Sequence, residues 1–173
     1  LRRQRQMCIR DSFRLADAKM MKAECLLRLG GYNGETEQDA ANLVTEVRQR
    51  AFKDNPENAT RTVAQLKGGS VYKYGHRENT AKQDEPDNWV TTEEGGADII
   101  LGGLLDDLAW EFVAEHHRRQ DLIRFRMTNG QNVFNGKSWF CKDRTEDVND
   151  NHCDIFPIHK TFLEGNLKLK QNP

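Results

Sequence analysis

The strongest constraint on this chain is a pair of apolar stripes at helical spacing, separated by two consecutive glycines. In FRLADAKMMKAECLLRL, residues Phe13, Ala16, Met20, Ala23 and Leu27 step by three and four. That spacing puts them on one face of an α-helix, which Leu26 and Leu29 widen. Gly30 and Gly31 supply a helix stop and a tight turn. Thr36, with Asp39 three residues later, forms a shortened capping box that opens a second helix over 37–52. Its stripe is Ala40, Leu43, Val44, Val47 and Ala51. Two such helices form an antiparallel hairpin, and neither can hide its stripe alone. The pair must stack on further helices, as in tetratricopeptide-like arrays. The fold expected is therefore mainly α: tetratricopeptide-like helical hairpins with long irregular loops and an extended carboxy-terminal arm.

The rest of the chain divides by pattern. Residues 1–12 fit the helical pattern poorly and read as a non-native or disordered leader, with no function assigned; residues 13–173 read as one helical domain. Ala59 to Leu66 is expected to form a short helix. Residues 69–96 are polar, glycine-flanked and aperiodic, which predicts a surface excursion with a small strand at Val71 to Tyr74. Such length without structure points to binding or disorder. The longest helical signal runs from Ile99 to Phe125, with Leu101, Leu104, Leu105, Leu108, Phe112, Leu122 and Phe125 supplying much of its inner face. Asn129-Gly130 and Asn135-Gly136 signal turns, and 131–141 and 153–158 are expected to contribute short strands. The tail from Phe156 reads as an arm with a helical turn at Lys160 to Glu164, pinned by Phe156, Ile158, Phe162 and Leu167.

Composition closes off several classes. Hydrophobic residues make up 36% of the 173 and charged residues 31%, too polar for a buried membrane protein but too patterned for disorder. The net charge of -1 creates no field for a phosphate backbone, so no nucleic-acid partner is expected. Cys8, Cys25, Cys141 and Cys153 are too dispersed for a disulfide scaffold or a zinc signature. No apolar stretch is long enough for a signal peptide or a membrane span, and the chain reads as a fragment of a longer one.

Three candidate chemistries arise. His116 and His117 are adjacent, which turns them about 100° apart on a helix, and no HExxH spacing accompanies Glu115. No metal or cofactor is expected. Glu111, Glu115, Arg118, Arg119, Asp121 and Arg124 instead read as a structural network of charges at three- and four-residue spacing, with the arginine forks satisfying two acceptors each. Asp106 with Asp107, or Glu111 with Glu115, could supply an acid and a base for glycoside hydrolysis. Carboxyls on one helix rarely flank a sugar, however, and nearby arginines hold them ionised. No nucleophile elbow, phosphate loop or dinucleotide fingerprint occurs, so no catalytic residue is assigned. The excursion has the composition of a glycan surface: Tyr72, Tyr74 and Trp89 are apolar plates, and Asn88 can match hydroxyl groups. Trp110 is expected to pack within the long helix.

Several segments resemble the SusD/RagB family of outer-membrane glycan-binding lipoproteins. LAWEFVAEHHRRQDLIRF (Leu108 to Phe125) is similar to that family's acidic-aromatic helix running into Arg-x-Asp-Leu-x-Arg, with Arg118, Asp121, Leu122 and Arg124 on the recurring positions. IFPIHKTFLEGNLKLKQNP (Ile155 to Pro173) resembles its closing Phe-Pro-Ile-Pro and final Gln-Asn-Pro. LADAKMMKAECLLRLG (Leu15 to Gly30) and LVTEVRQRA (Leu43 to Ala51) are weaker matches upstream. His159 and Leu167 depart from common prolines, Thr45 from a frequent asparagine, and His116 from a position often held by glycine. The resemblance implies the carboxy-terminal part of a non-enzymatic protein on the external face of the outer membrane, attached through an amino-terminal lipid anchor absent from this sequence. It further implies capture of an oligosaccharide and delivery to a SusC-like TonB-dependent transporter. The alternative expectation is a tetratricopeptide-like module that binds protein.

Overall fold

The computed structural model describes residues 13–72, 95–137, 154–166 and 168–171, and the backbone alone at 75–79 and 89–93. The chain is mainly helical and divides into two compact units between Leu66 and Lys67.

The first unit is the hairpin of α1 (Leu15–Leu29) and α2 (Glu37–Gln49). Each helix begins with an acidic residue at its third position, whose carboxylate collects an otherwise orphaned backbone N–H. Asp17 accepts from Arg14 at 2.8 Å and Asp39 from Thr36 at 2.7 Å. Gly30 ends α1 in the left-handed conformation (φ 73°), and the Gly31 N–H closes on the Leu26 carbonyl at 2.9 Å. Gly31 is left-handed too, and a side chain there would meet the Glu35 carbonyl. Lys19 pairs with Glu46, and Lys22 with Glu35, so the partners run in opposite directions and the helices are antiparallel.

The apolar faces meet along Ala16, Met20, Ala23, Leu26 and Leu27 of α1 and Ala40, Ala41, Val44 and Val47 of α2, all buried. Alanines at 23, 40 and 41 let the backbones approach, and Met20 fills the gap beside them. The expected stripe is corrected at its edges. Phe13 lies before the first helical residue and is 73% exposed, and Leu29 and Ala51 are exposed as well. A 3-10 turn, Pro56–Ala59, folds back against α2, where Arg48 donates to the Asn58 and Ala59 carbonyls and the Thr45 hydroxyl accepts the Arg61 N–H at 2.9 Å. A short helix, α3 (Val63–Lys67), follows.

In the second unit the excursion leaves and returns at one place. Ser70 and Gly96 form an antiparallel bridge, and beyond it β1 (Gly75–Asn79) pairs with β2 (Trp89–Glu93), Asn79 opposite Trp89. The strand expected at Val71 to Tyr74 is thus shifted later in the chain. The core comprises Ile99, Leu101, Leu104, Leu105, Leu108, Phe112, Leu122, Phe125, Met127 and Val133.

The helix expected over Ile99 to Phe125 is two helices, α4 (Gly102–Glu111) and α5 (Arg118–Arg124). Ala114 (φ 63°) and His116 (φ 66°) adopt left-handed backbone between them, and His117 folds back to stack on Phe112 with ring centroids 5.0 Å apart. The apolar spacing survives this break because Leu122 and Phe125 reach the same core from a new direction. Residues 133–136 form a helical turn, α6 (Val133–Gly136), rather than the expected strand. The described part of 153–158 is irregular. The carboxy-terminal arm carries α7 (Lys160–Gly165), but Phe156 and Phe162 are exposed, so burial of their rings does not pin it. The leader, Cys8, Cys141, Cys153 and Leu167 lie outside the described residues.

Candidate functional site

The feature best built for recognition lies where α4 meets the start of the excursion. Two glycines, Gly69 and Gly102, permit close backbone approaches here. A Cβ on Gly69 would fall 2.5 Å from Ala97, and one on Gly102 would fall 2.1 Å from the Ser70 nitrogen. Gly103 N–H donates to the Gly68 carbonyl at 3.1 Å and Ser70 N–H to the Gly96 carbonyl at 2.8 Å.

Within this close approach Asp106 is 1% exposed. Its carboxylate accepts the Ser70 hydroxyl at 2.5 Å and the Val71 N–H at 3.0 Å, and the Tyr72 N–H donates in turn to Ser70 Oγ at 3.2 Å. Burial pushes the Asp106 carboxyl above its ordinary 3.8. The bonds from Ser70 and Val71, and the charge of Arg118, pull the other way, while Asp107 adds to the rise.

One helical turn beyond Asp106, Trp110 stands at the surface, 64% exposed, and Tyr72 lies beside it, 38% exposed. The Trp110 indole N–H donates to the Tyr72 hydroxyl, and the rings sit 6.4 Å apart, tilted by 41°. The expectation that Trp110 packs inside a continuous helix is corrected. α4 ends one residue later, so its outward face there meets no following turn. Of the other candidates, Trp89 opens β2, while Tyr74 and Asn88 lie outside the described residues. The structure therefore joins Tyr72 to a partner that sequence pattern assigned to the core. Ser70 and the gripping role of Asp106 were missed, although the matching pairs Gly68-Gly69 and Gly102-Gly103 signal a close backbone approach.

The charged residues distribute over several elements. Glu111 closes α4 and Glu115 lies in the turn after it, so the four-residue spacings Glu111 to Glu115 and Glu115 to Arg119 do not share a helix. Arg118 donates to the Leu105 carbonyl at 2.9 Å, fastening α5 to α4. Asp121 pairs with Arg124 at 2.7 Å. Arg119 reaches the arm. Its guanidinium lies 5.0 Å from the Phe134 ring centre and 4.3 Å from that of Phe156, and it donates to the Asp154 carbonyl at 3.0 Å. The Asp154 carboxylate accepts from the amides of Asn132 and Asn135, and Asn132 also caps α6. The Gln171 amide closes the arm on itself, accepting from Ile158 N–H at 2.9 Å and donating to its carbonyl at 3.4 Å. Among the described residues no group of three or more His, Cys, Asp or Glu side chains could hold a metal ion.

Comparison with known proteins gives these features a family. The chain is 33% identical over 113 residues to the SusD-like protein P25 of Formosa agariphila, an alignment covering 65% of this chain and 14% of that relative. The chain thus spans a small fraction of the curated relative it matches. No solved structure matches it. The SusD family model matches residues 3–173, nearly the full sequence, and the chain belongs to the SusD/RagB family.

Proposed function

We propose that this chain is the carboxy-terminal part of a non-catalytic protein that captures oligosaccharides, and that Trp110 and Tyr72 contribute a sugar-contacting surface. The observation that carries the reading is the exposed indole at the end of α4 with the Tyr72 ring beside it, centroids 6.4 Å apart. A rigid aromatic ring offers its apolar plane to the C–H side of a pyranose at little cost in side-chain entropy. Tyr74, Trp89 and Asn88 are further candidate sugar-contacting residues in this proposal.

Family membership supports capture in the general sense and motivates the remainder: delivery to a SusC-like TonB-dependent transporter, and residence on the external face of the outer membrane through a lipid anchor. Among the described residues no helix is long and apolar enough to cross a membrane. The hairpin of α1 and α2 also fits a protein-binding module, so the test must separate the two readings.

Titration calorimetry of the full-length protein against a panel of oligosaccharides provides it. At least one glycan should bind, and Trp110→Ala should weaken it about ten-fold, the loss expected for one stacked aromatic. Binding that survives Trp110→Ala unchanged would remove the site. Failure of every glycan, together with capture of a protein partner, would favour the module.

A further inference from the structure

We propose that Asp106 is the positioning residue of the aromatic surface, setting Tyr72 against Trp110 through Ser70 and Val71. The inference rests on the oligosaccharide reading, but its structural half can be measured without any sugar. Asp106 and Trp110 are four apart on α4, so the residue that grips the loop and the indole that the loop meets lie one turn apart on the same helix. The grip is continuous. One carboxylate oxygen takes the Ser70 hydroxyl, the other takes the Val71 N–H, and Ser70 Oγ then takes the Tyr72 N–H. Three consecutive residues are thereby fixed by one buried side chain, and the third of them carries the phenol that receives the indole N–H.

Val71 is exposed, so its side chain supplies little burial, and Tyr72 is itself part-exposed. Upstream, the backbone is closed by Gly103 to Gly68 and Ser70 to Gly96, which place Ser70, and the hydrogen bonds at Asp106 carry the grip on to Val71 and Tyr72. A carboxylate suits the task because its two oxygens accept from two donors at once, and because it has no proton to compete with them. Asparagine offers a single accepting oxygen and turns an N–H2 towards one of the donors. Burying a carboxylate is costly without such partners, which accounts for both its oxygens being engaged.

The test uses the full-length protein with Ser70→Ala, Asp106→Asn, Tyr72→Phe and Tyr72→Ala, and two readouts. The first is the Trp110 indole N–H resonance, assigned by its disappearance in Trp110→Phe. Ser70→Ala and Asp106→Asn should move it toward its position in Tyr72→Phe. The second is sugar affinity in a double-mutant cycle. Ser70→Ala should weaken binding about ten-fold when Tyr72 is present, and should cost nothing further in the Tyr72→Ala background. Ser70→Ala is the milder change and keeps the test valid if Asp106→Asn does not fold.

An indole resonance that stays put in folded Ser70→Ala would overturn the proposal. So would equal losses of affinity in both backgrounds, which mark a general weakening of the fold. If the resonance moves as expected and no oligosaccharide binds, the positioning role stands and the sugar reading alone falls.

Discussion

Two carboxyl groups respond to pH in opposite senses, because their surroundings favour opposite charge states. Asp39 takes the Thr36 N–H and then the Thr36 hydroxyl, which hold its carboxyl below the ordinary 3.8. Its contribution to stability is therefore present above 3.8 and is lost as pH falls through the lower folded value. Asp106 is the reverse: burial raises its carboxyl above 3.8, so the folded protein holds that proton more tightly than the unfolded chain. Its contribution declines as pH rises from 3.8 through the raised folded value, and is constant above it. Arg118 moderates this decline and Asp107 steepens it. Melting curves recorded across acidic pH should show Asp39→Asn removing a loss of stability on acidification. Asp106→Asn should remove a loss on going toward neutral pH. The same sign for both variants would contradict these assignments. Asp39 was legible in sequence because a capping carboxylate is a local pattern. Asp106 was not, because its partners lie 35 and 36 residues away.

Helix existence was legible wherever one face repeats, and helix ends were legible only where glycine marks them. α1 stops at Gly30 as its sequence says, whereas the break between α4 and α5 has no glycine or proline to announce it. The clue was comparative: His116 stands where the SusD/RagB pattern often has glycine, and its φ of 66° is the conformation in which glycine avoids a Cβ clash. A non-glycine residue in that region costs about 1–2 kcal/mol, partly offset by the greater chain entropy that glycine loses on folding. His116→Gly should accordingly stabilise the second unit by about 0.5–1 kcal/mol, read from denaturant midpoints at unchanged slope. Destabilisation would mean that the His116 side chain contributes more than its backbone costs. Gly102→Ala should act the other way. Its Cβ would meet the Ser70 nitrogen at 2.1 Å and Gly69 at 2.5 Å, and backbone cannot step aside as a flexible side chain can. A cost of about 2–3 kcal/mol and separation of Tyr72 from Trp110 are expected. A wild-type melting curve would show that the two segments part more easily than their contacts imply. The aromatic pair itself was half legible. Tyr72 announced itself in a polar loop, while Trp110 was hidden by a helical period that runs on past the place where the helix ends.

Across the molecule, the two segments that carry the family resemblance most clearly prove to be in contact. Arg119 of the Arg-Arg-Gln-Asp-Leu stretch stacks on Phe156 of the Phe-Pro-Ile segment, and Gln171 near the end of the chain grips Ile158 within that same segment. The arm is thereby a closed loop fastened near its start, which explains how it stays in place with Phe156 and Phe162 at the surface. Sequence could name these segments without revealing that they meet, since Arg119 read as one charge in a helical network and Phe156 as an apolar pin. The fastening depends on guanidinium chemistry: a planar cation between Phe134 and Phe156 that also donates in its own plane to the Asp154 carbonyl. Arg119→Ala should cost about 2 kcal/mol and open the arm from Asp154 onward to protease at a concentration that leaves the parent intact. Arg119→Lys should recover little of this, because an ammonium keeps the charge but cannot lie flat against two rings. Trp110 lies on α4 beside Tyr72, so its indole resonance should be unchanged in both variants. Full protection of the arm in Arg119→Ala would assign its anchorage to Asp154 and the two asparagines instead, and Asp154→Ala would then release it.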